Sequence, residues 1–218
     1  MNHLSDEDLH RALLAGERAA AAALYDRYFR RIRGFFGNRL ADAAAWDDLT
    51  QQTFTIALFE SPASFRGASS YRSWLFGIAF NLLRAHYRSQ ARIVLGHDES
   101  DEALEERPVV AMGVGISTLR ARCADLQRLL DTLRQLPSAL QHAFELYAWQ
   151  GMSAREIGEV TGIPEGTARS RVRLAKERLG KLGIPAESLD ELSRRARVEV
   201  IEEPEDPLSP RTPEPEDP

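Results

Sequence analysis

The apolar residues of the N-terminal part of the chain recur three and four positions apart, as they do along a buried helical face. This spacing predicts helices over residues 5–16, 19–40, 47–60 and 72–91. Ser5 followed by Asp8 resembles a capping box, and Asp47 or Asp48 is predicted to cap the third helix. Because a proline disfavours helical backbone at the residue before it, Pro62 ends that helix, and a loop over residues 64–70 follows.

The helical pattern stops at residue 93 and resumes at residue 119. The later segments predict helices over residues 119–136, 138–150, 153–161 and 164–181, and a further helix over 186–198. No segment shows the alternation of a strand. We therefore predict an all-α chain of two small helical domains joined by a flexible acidic linker, with a disordered, acidic and Pro-rich tail. The predicted boundaries are 1–92, 93–118, 119–184 and 185–218.

Residues 153–180 have the layout of a helix-turn-helix. Ser153 and Glu156 form a capping box, Gly162 supplies a left-handed turn residue, and Pro164 stands where the second helix begins. At about 100° per residue, Ala168 and Val172 fall on an inward face together with Ala175 and Leu179. The opposite face carries small, hydroxyl and Arg side chains, which favours a reader of the DNA major groove over a merely solvated cationic helix.

Charge is segregated along the chain. The net charge of −5 combines basic blocks at residues 1–95 and 119–184 with acidic blocks at 96–118 and 185–218. A polyanion is a suitable partner for the basic blocks, although the excess of Arg over Lys is equally consistent with a GC-rich genome.

Several functional classes are excluded by composition. The longest apolar run, residues 109–116, is too short for a membrane span of about 20 residues. The acidic N-terminus is unlike a secretory signal, so a cytoplasmic protein without membrane insertion is predicted. A lone cysteine, Cys123, and scattered histidines give no disulfide or metal site, and no cofactor is expected. No nucleophile–base pair or phosphate-binding Gly loop indicates an enzyme.

Two motifs together resemble the extracytoplasmic-function (ECF) sigma factors of the sigma-70 family. Residues 47–54 (DDLTQQTF) and 65–81 (FRGASSYRSWLFGIAFN) resemble the family's region 2. Residues 136–137 and 147–153, followed by the helix-turn-helix, resemble its region 4. The resemblance covers about residues 5–182. It implies a non-enzymatic promoter-recognition subunit that binds core RNA polymerase and promoter DNA, helps to open the duplex, and is commonly held inactive by an anti-sigma partner.

The resemblance also implies roles for individual residues. Core polymerase is expected to contact the 47–54 helix through Asp47, Asp48, Gln51, Gln52 and Phe54, although Phe54 is at least equally a core residue and Leu49 is assigned to the core. Capture of the −10 strand is expected to use Phe65 and Tyr71 for stacking, Asn81 for a base edge, and Arg66, Arg72, Arg84 and Arg88 for phosphates. Trp74 is interpreted as a core residue.

The −35 element is expected to be read by residues 164–178. The predicted contact set is Thr167, Arg169, Ser170, Arg171, Arg173 and Lys176. Two positions depart from the family pattern: Gly77 stands where Arg is frequent, and Leu174 where a basic residue is frequent.

The linker, the tail and the overall function each have more than one interpretation. The acidic linker either mimics transcript in the polymerase RNA path or is a plain tether. The acidic tail is either solubilising or competes with DNA for the basic recognition helix. A stand-alone helix-turn-helix regulator that never binds polymerase would explain residues 119–184 but leaves 65–81 unexplained, and an N-terminal protein-interaction module is compatible with the sigma-factor interpretation.

Overall fold

The computed structural model describes residues 3–40, 42–95, 100 and 124–196, and every regular element within these ranges is helical. This confirms the all-α prediction. The N-terminal domain contains α1 (Asp6–Leu14), α2 (Arg18–Gly37), α3 (Ala43–Thr55) and α4 (Tyr71–Leu95). A π-helical turn (Ile56–Glu60) and a 3-10 turn (Pro62–Ser64) follow α3. The C-terminal domain contains α5 (Ala124–Leu133), α6 (Ser138–Ala148), α7 (Ala154–Thr161), α8 (Glu165–Lys181) and α9 (Ala186–Ala196).

The predicted start of the third helix was wrong. Asp42, not Asp47 or Asp48, caps α3, and its carboxylate accepts a hydrogen bond from the Ala44 amide at 3.0 Å. The run of three alanines that follows Asp42 has high helix propensity and extends the helix toward the N-terminus. At α1 the predicted cap is confirmed, because Ser5 accepts a hydrogen bond from the Asp8 amide at 3.1 Å.

The end of the last N-terminal helix also differs from prediction. Helix α4 runs to Leu95, beyond the predicted helix end at residue 91, and Gly96 follows it in the sequence. Outside the described residues lie the rest of the predicted linker apart from Ser100, the first five residues of the helix predicted from residue 119, and the tail after residue 196.

The N-terminal core is built on aromatic and aliphatic side chains of α2 and α4. Ile32, Phe36, Phe76 and Leu83 are fully buried in one cluster. In the described part of the chain, no helix is both long and apolar enough to cross a membrane.

The two domains pack directly against each other, which the prediction of two tethered domains did not anticipate. Helix α4 packs on α7, and Met152 and Ile157 share a continuous core with the N-terminal helices. The C-terminal domain keeps a second core of its own, in which α9 covers α5 and α6 through Leu189 and Leu192.

Candidate functional site

The helix-turn-helix forms as the sequence predicts. The side chain of Ser153 accepts a hydrogen bond from the Glu156 amide at 3.2 Å, and Glu156 accepts one from the Ser153 amide at 2.9 Å. Gly162 closes α7 in the left-handed conformation at φ 75°. Gly158 allows the turn to approach closely, since a Cβ there would lie 2.7 Å from the Ile163 carbonyl oxygen.

The inward face of α8 is confirmed residue by residue. All four residues predicted to face the core are buried: Ala168, Val172, Ala175 and Leu179. Of the predicted −35 contacts, Thr167, Arg169, Ser170 and Arg173 are exposed, while Arg171 and Lys176 are half-buried. The structure therefore presents a polar and cationic face along the recognition helix.

Local ion pairs organise that cationic face. Arg169 pairs with Glu165 at 2.5 Å, and Arg173 pairs with Glu177, each one turn apart on the helix surface. Such exposed pairs contribute little to stability. A phosphate that approaches can therefore displace the carboxylate from the guanidinium at a small cost in free energy. Lys176 lies 4.4 Å from the Tyr147 ring centroid, a cation–π contact that the sequence did not indicate.

The two aromatic residues predicted to stack on DNA bases are core residues in this conformation. Tyr71 is fully buried and Phe65 is 9% exposed. Their rings lie 5.3 Å apart, edge to face, beside those of His10 and Trp74. The stacking role of Phe65 and Tyr71 therefore requires the loop to move, and it stays a prediction. Trp74, interpreted as a core residue, is half-buried and packs against the core.

The polar residues predicted for −10 recognition are mostly at the surface. Arg66, Asn81 and Arg88 are exposed, and Arg84 is half-buried with its guanidinium 5.9 Å from the Phe80 ring centroid. Arg72 differs from them because it reaches across to the C-terminal domain. It donates hydrogen bonds to the Gln150 carbonyl oxygen at 3.0 Å and to Glu156 at 2.5 Å.

Helix α3 carries the residues predicted to contact polymerase. Asp48, Gln51 and Gln52 are exposed, and Asp47 is half-buried and paired with Arg33 at 2.8 Å. Phe54 is buried, its ring 4.7 Å from that of Tyr25, so it acts as a core residue in this conformation. Leu49 is also buried, as predicted.

Sequence reasoning missed Phe59. This residue is 73% exposed and continues the exposed face of Asp48, Gln52 and Thr55, since each step along that face is three or four positions. A buried aromatic side chain is a common anchor in protein interfaces, so Phe59 is a candidate contact for a partner protein. The sequence signal for Phe59 was its helical spacing from Asp48, which places both on one face. That signal was obscured because Phe59 directly follows two buried apolar residues, Ala57 and Leu58.

Comparison with known proteins identifies both domains. A model of sigma-70 region 2 matches residues 24–93, and a model of sigma-70 region 4 matches residues 126–179. The chain is 30% identical over 177 residues to the ECF RNA polymerase sigma-E factor of Haemophilus influenzae, a match that covers 80% of this chain and 93% of the relative. The chain belongs to the ECF sigma factors of the sigma-70 family.

Further comparisons support the same family assignment for this sigma factor. It is 30% identical over 187 residues to the RNA polymerase sigma-H factor of Pseudomonas aeruginosa, which covers 81% of this chain and 92% of that protein. Among solved structures, the sigma factor RpoE in complex with the anti-sigma factor NepR from Bartonella quintana matches with a TM-score of 0.57 and 26% identity, over 72% of this chain and 92% of that one. The polar face of α3 and the loop over 65–70 lie within region 2, and the helix-turn-helix lies within region 4.

Proposed function

We propose that this sigma factor binds core RNA polymerase through region 2, recognises the −10 and −35 promoter elements through regions 2 and 4, and promotes transcription initiation. The single observation that supports this most is that one chain carries both family regions, each with an exposed polar surface where promoter or polymerase would bind. Sigma factors are initiation factors without enzymatic chemistry, and this one is proposed to act beside polymerase in the cytoplasm.

The −35 element is assigned to the exposed face of α8. Thr167 and Ser170 have short hydroxyl side chains in the first turns, which can approach base edges, and Arg169 and Arg171 can reach phosphates from the two flanks of that face. Arg173 and Lys176 complete the contact set.

The −10 strand is assigned to the loop over 65–70 and to α4. Asn81 is exposed and suited to a base edge, while Arg66, Arg84 and Arg88 supply positive charge along the strand. Core polymerase is assigned to Asp47, Asp48, Gln51 and Gln52 on α3, with Phe59 as an apolar anchor at the end of that face.

An anti-sigma protein is proposed as an inhibitory partner. The solved relative RpoE is complexed with the anti-sigma factor NepR, and 72% of this chain matches its fold. Co-purification of the chain from its own cells identifies such a partner.

Run-off transcription tests the proposed function. Purified core polymerase is supplied with or without the full chain on promoter fragments that include the region upstream of its own gene. Promoter-dependent transcripts only in the presence of the chain support the proposal. A Gln52→Ala, Phe59→Ala double variant should lose core binding, while a Thr167→Ala, Arg169→Ala double variant should retain core binding and lose −35 dependence. Promoter binding by the chain alone, with no capture of core polymerase, would instead establish a stand-alone regulator.

A further inference from the structure

The recognition helix carries an exposed apolar side chain among its polar residues. Of the large apolar residues of α8, Val172 and Leu179 are buried against the core, whereas Leu174 is 38% exposed. Packing within the protein therefore covers only part of this side chain. Because single exposed leucines are common on protein surfaces, the position of Leu174 on the helix decides what its exposure means.

Leu174 lies on the face of α8 that is proposed to read bases. At about 100° per residue, the exposed residues Thr167, Ser170 and Leu174 fall within about 60° of arc. At about 1.5 Å of rise per residue, Leu174 lies about 10.5 Å beyond Thr167 along the helix axis. This distance corresponds to about three base pairs of duplex. One stretch of major groove can therefore contact all three side chains at once.

The charges around this face favour DNA as the molecule that covers Leu174. Arg169 and Arg171 lie on its two flanks, and Arg178 is exposed one turn beyond Leu174. The two acidic residues of the helix are each paired with an arginine one turn away. A positive border around an apolar side chain is complementary to a duplex, in which phosphates border the base edges.

A leucine side chain discriminates among the bases because it neither donates nor accepts a hydrogen bond. In the major groove, thymine presents an apolar C5-methyl group, whereas guanine, adenine and cytosine present hydrogen-bonding atoms. A polar base edge that was covered by leucine would lose its water without gaining a partner, which is unfavourable. Leu174 therefore favours a thymine at the base pair that it faces and disfavours a G·C pair.

We propose that Leu174 is a specificity-determining residue of −35 recognition and that it contacts the C5-methyl group of a thymine in that element. The inference rests on the proposed function, since it names a base read by the same helix. A basic side chain, which is frequent at this position in the family, would instead favour guanine. The departure at residue 174 thus changes the base that the helix prefers.

Removal of a single methyl group from the DNA tests this contact. The full chain, alone and with core polymerase, selects duplexes from a randomised pool, which gives the preferred −35 sequence. Each thymine of that sequence is then replaced by deoxyuridine, which lacks only the C5-methyl group. One replacement should weaken binding by the parent chain about fourfold, as expected for one lost apolar contact. The same replacement should not weaken binding by the Leu174→Ala variant.

Leu182→Ala is the matched control for this substitution. Leu182 is 46% exposed and follows the last residue of α8, about 12 Å beyond Leu174 along the axis. This variant should keep the methyl dependence of the parent, and both alanine variants should keep its thermal midpoint. Leu174→Arg gives the converse result, because the selected base should change from thymine to guanine at the same position and nowhere else.

A selected sequence without thymine would overturn the contact, as would a deoxyuridine scan that affects the parent and Leu174→Ala equally. Reduced capture of core polymerase by Leu174→Ala, with unchanged affinity for the duplex, would overturn it by showing that Leu174 contacts a protein. A failed run-off assay together with a methyl-dependent preference of the chain alone would reject the role in initiation and leave the thymine contact standing. Promoter-dependent transcripts without any methyl dependence would have the opposite meaning.

Discussion

Arg39 and Glu145 are far apart in the sequence and belong to different domains, yet they form an ion pair in which neither side chain is more than 2% exposed. Burial lowers the pKa of Arg39 and raises that of Glu145, while the opposite charge of each partner counteracts the shift. The pair makes the packing of the two domains specific, because neither charge can be buried there without the other.

A double-mutant cycle should reveal this dependence. Arg39→Met and Glu145→Leu each leave one buried charge unpaired, and each is expected to lower the free energy of unfolding by about 3–5 kcal/mol, up to the limit at which the domains separate. The double variant should recover most of that loss, because no charge remains buried. Denaturant unfolding of the four proteins measures the cycle, and simple additivity of the two single effects would contradict the pairing.

The helix-turn-helix should be sensitive to a single methyl group. Gly158→Ala places a Cβ 2.7 Å from the Ile163 carbonyl oxygen, so the turn must shift. We expect a loss of about 1–3 kcal/mol in stability and weaker −35 binding. Gly180→Ala on α8 is the control, since its Cβ meets no atom within 4 Å and Ala is the better helix former. Equal thermal midpoints for the two variants would show that the turn is not tightly packed.

The helices and the turn of region 4 were predictable from sequence because the residues that specify each of them lie within that helix or turn. The spacing of Ala168 and Val172 fixes an inward face, and Gly162 fixes the turn, without reference to any distant residue. The start of α3 was missed because Asp42, Asp47 and Asp48 all have capping side chains, and only the propensity of the intervening alanines separates them.

The site was less predictable than the fold. Tyr71 and Phe65 border a loop, where periodicity cannot distinguish a core aromatic from a base-stacking one, and both are buried. Arg39 and Glu145 have charged side chains of a kind that is usually solvated, and both are buried where the two domains meet. Sequence pattern reports burial within an element, whereas these residues are buried by a neighbour that the pattern does not specify.

Gly77 offers a gain-of-function test of the −10 surface. It lies on the face of α4 that carries Asn81, Arg84 and Arg88, within about 60° of arc, and its Cβ would enter open space. Gly77→Ala should raise stability by about 0.5–1 kcal/mol and leave DNA affinity unchanged. Gly77→Arg should also bind the −10 single strand more tightly. The slope of log K against log salt concentration should become steeper by about 0.7 for one added phosphate contact. Equal affinity of the Ala and Arg variants would place the strand elsewhere.

His142 makes the contact between the domains sensitive to acid. Its ring lies 5.4 Å from Phe80 and 6.3 Å from Tyr87, both on α4, measured between ring centroids. Burial, with Arg39 and Arg171 nearby, holds the pKa of His142 well below its ordinary 6.5, so the packed state keeps the ring neutral. As pH falls below 6.5, the exposed ring takes up a proton and the packed ring does not, so stability is lost by up to about 1.4 kcal/mol per pH unit.

His142→Gln should remove this contribution to the acid sensitivity. Glu145 works in the opposite direction, because a raised carboxyl pKa favours the packed state as pH falls, so the informative quantity is the difference between the two proteins. Between pH 6.5 and 5, the denaturation midpoint of the parent chain should fall more steeply than that of the variant. Parallel pH profiles would mean that the ring is protonated equally in both states, which its place between two aromatic rings of α4 makes unfavourable.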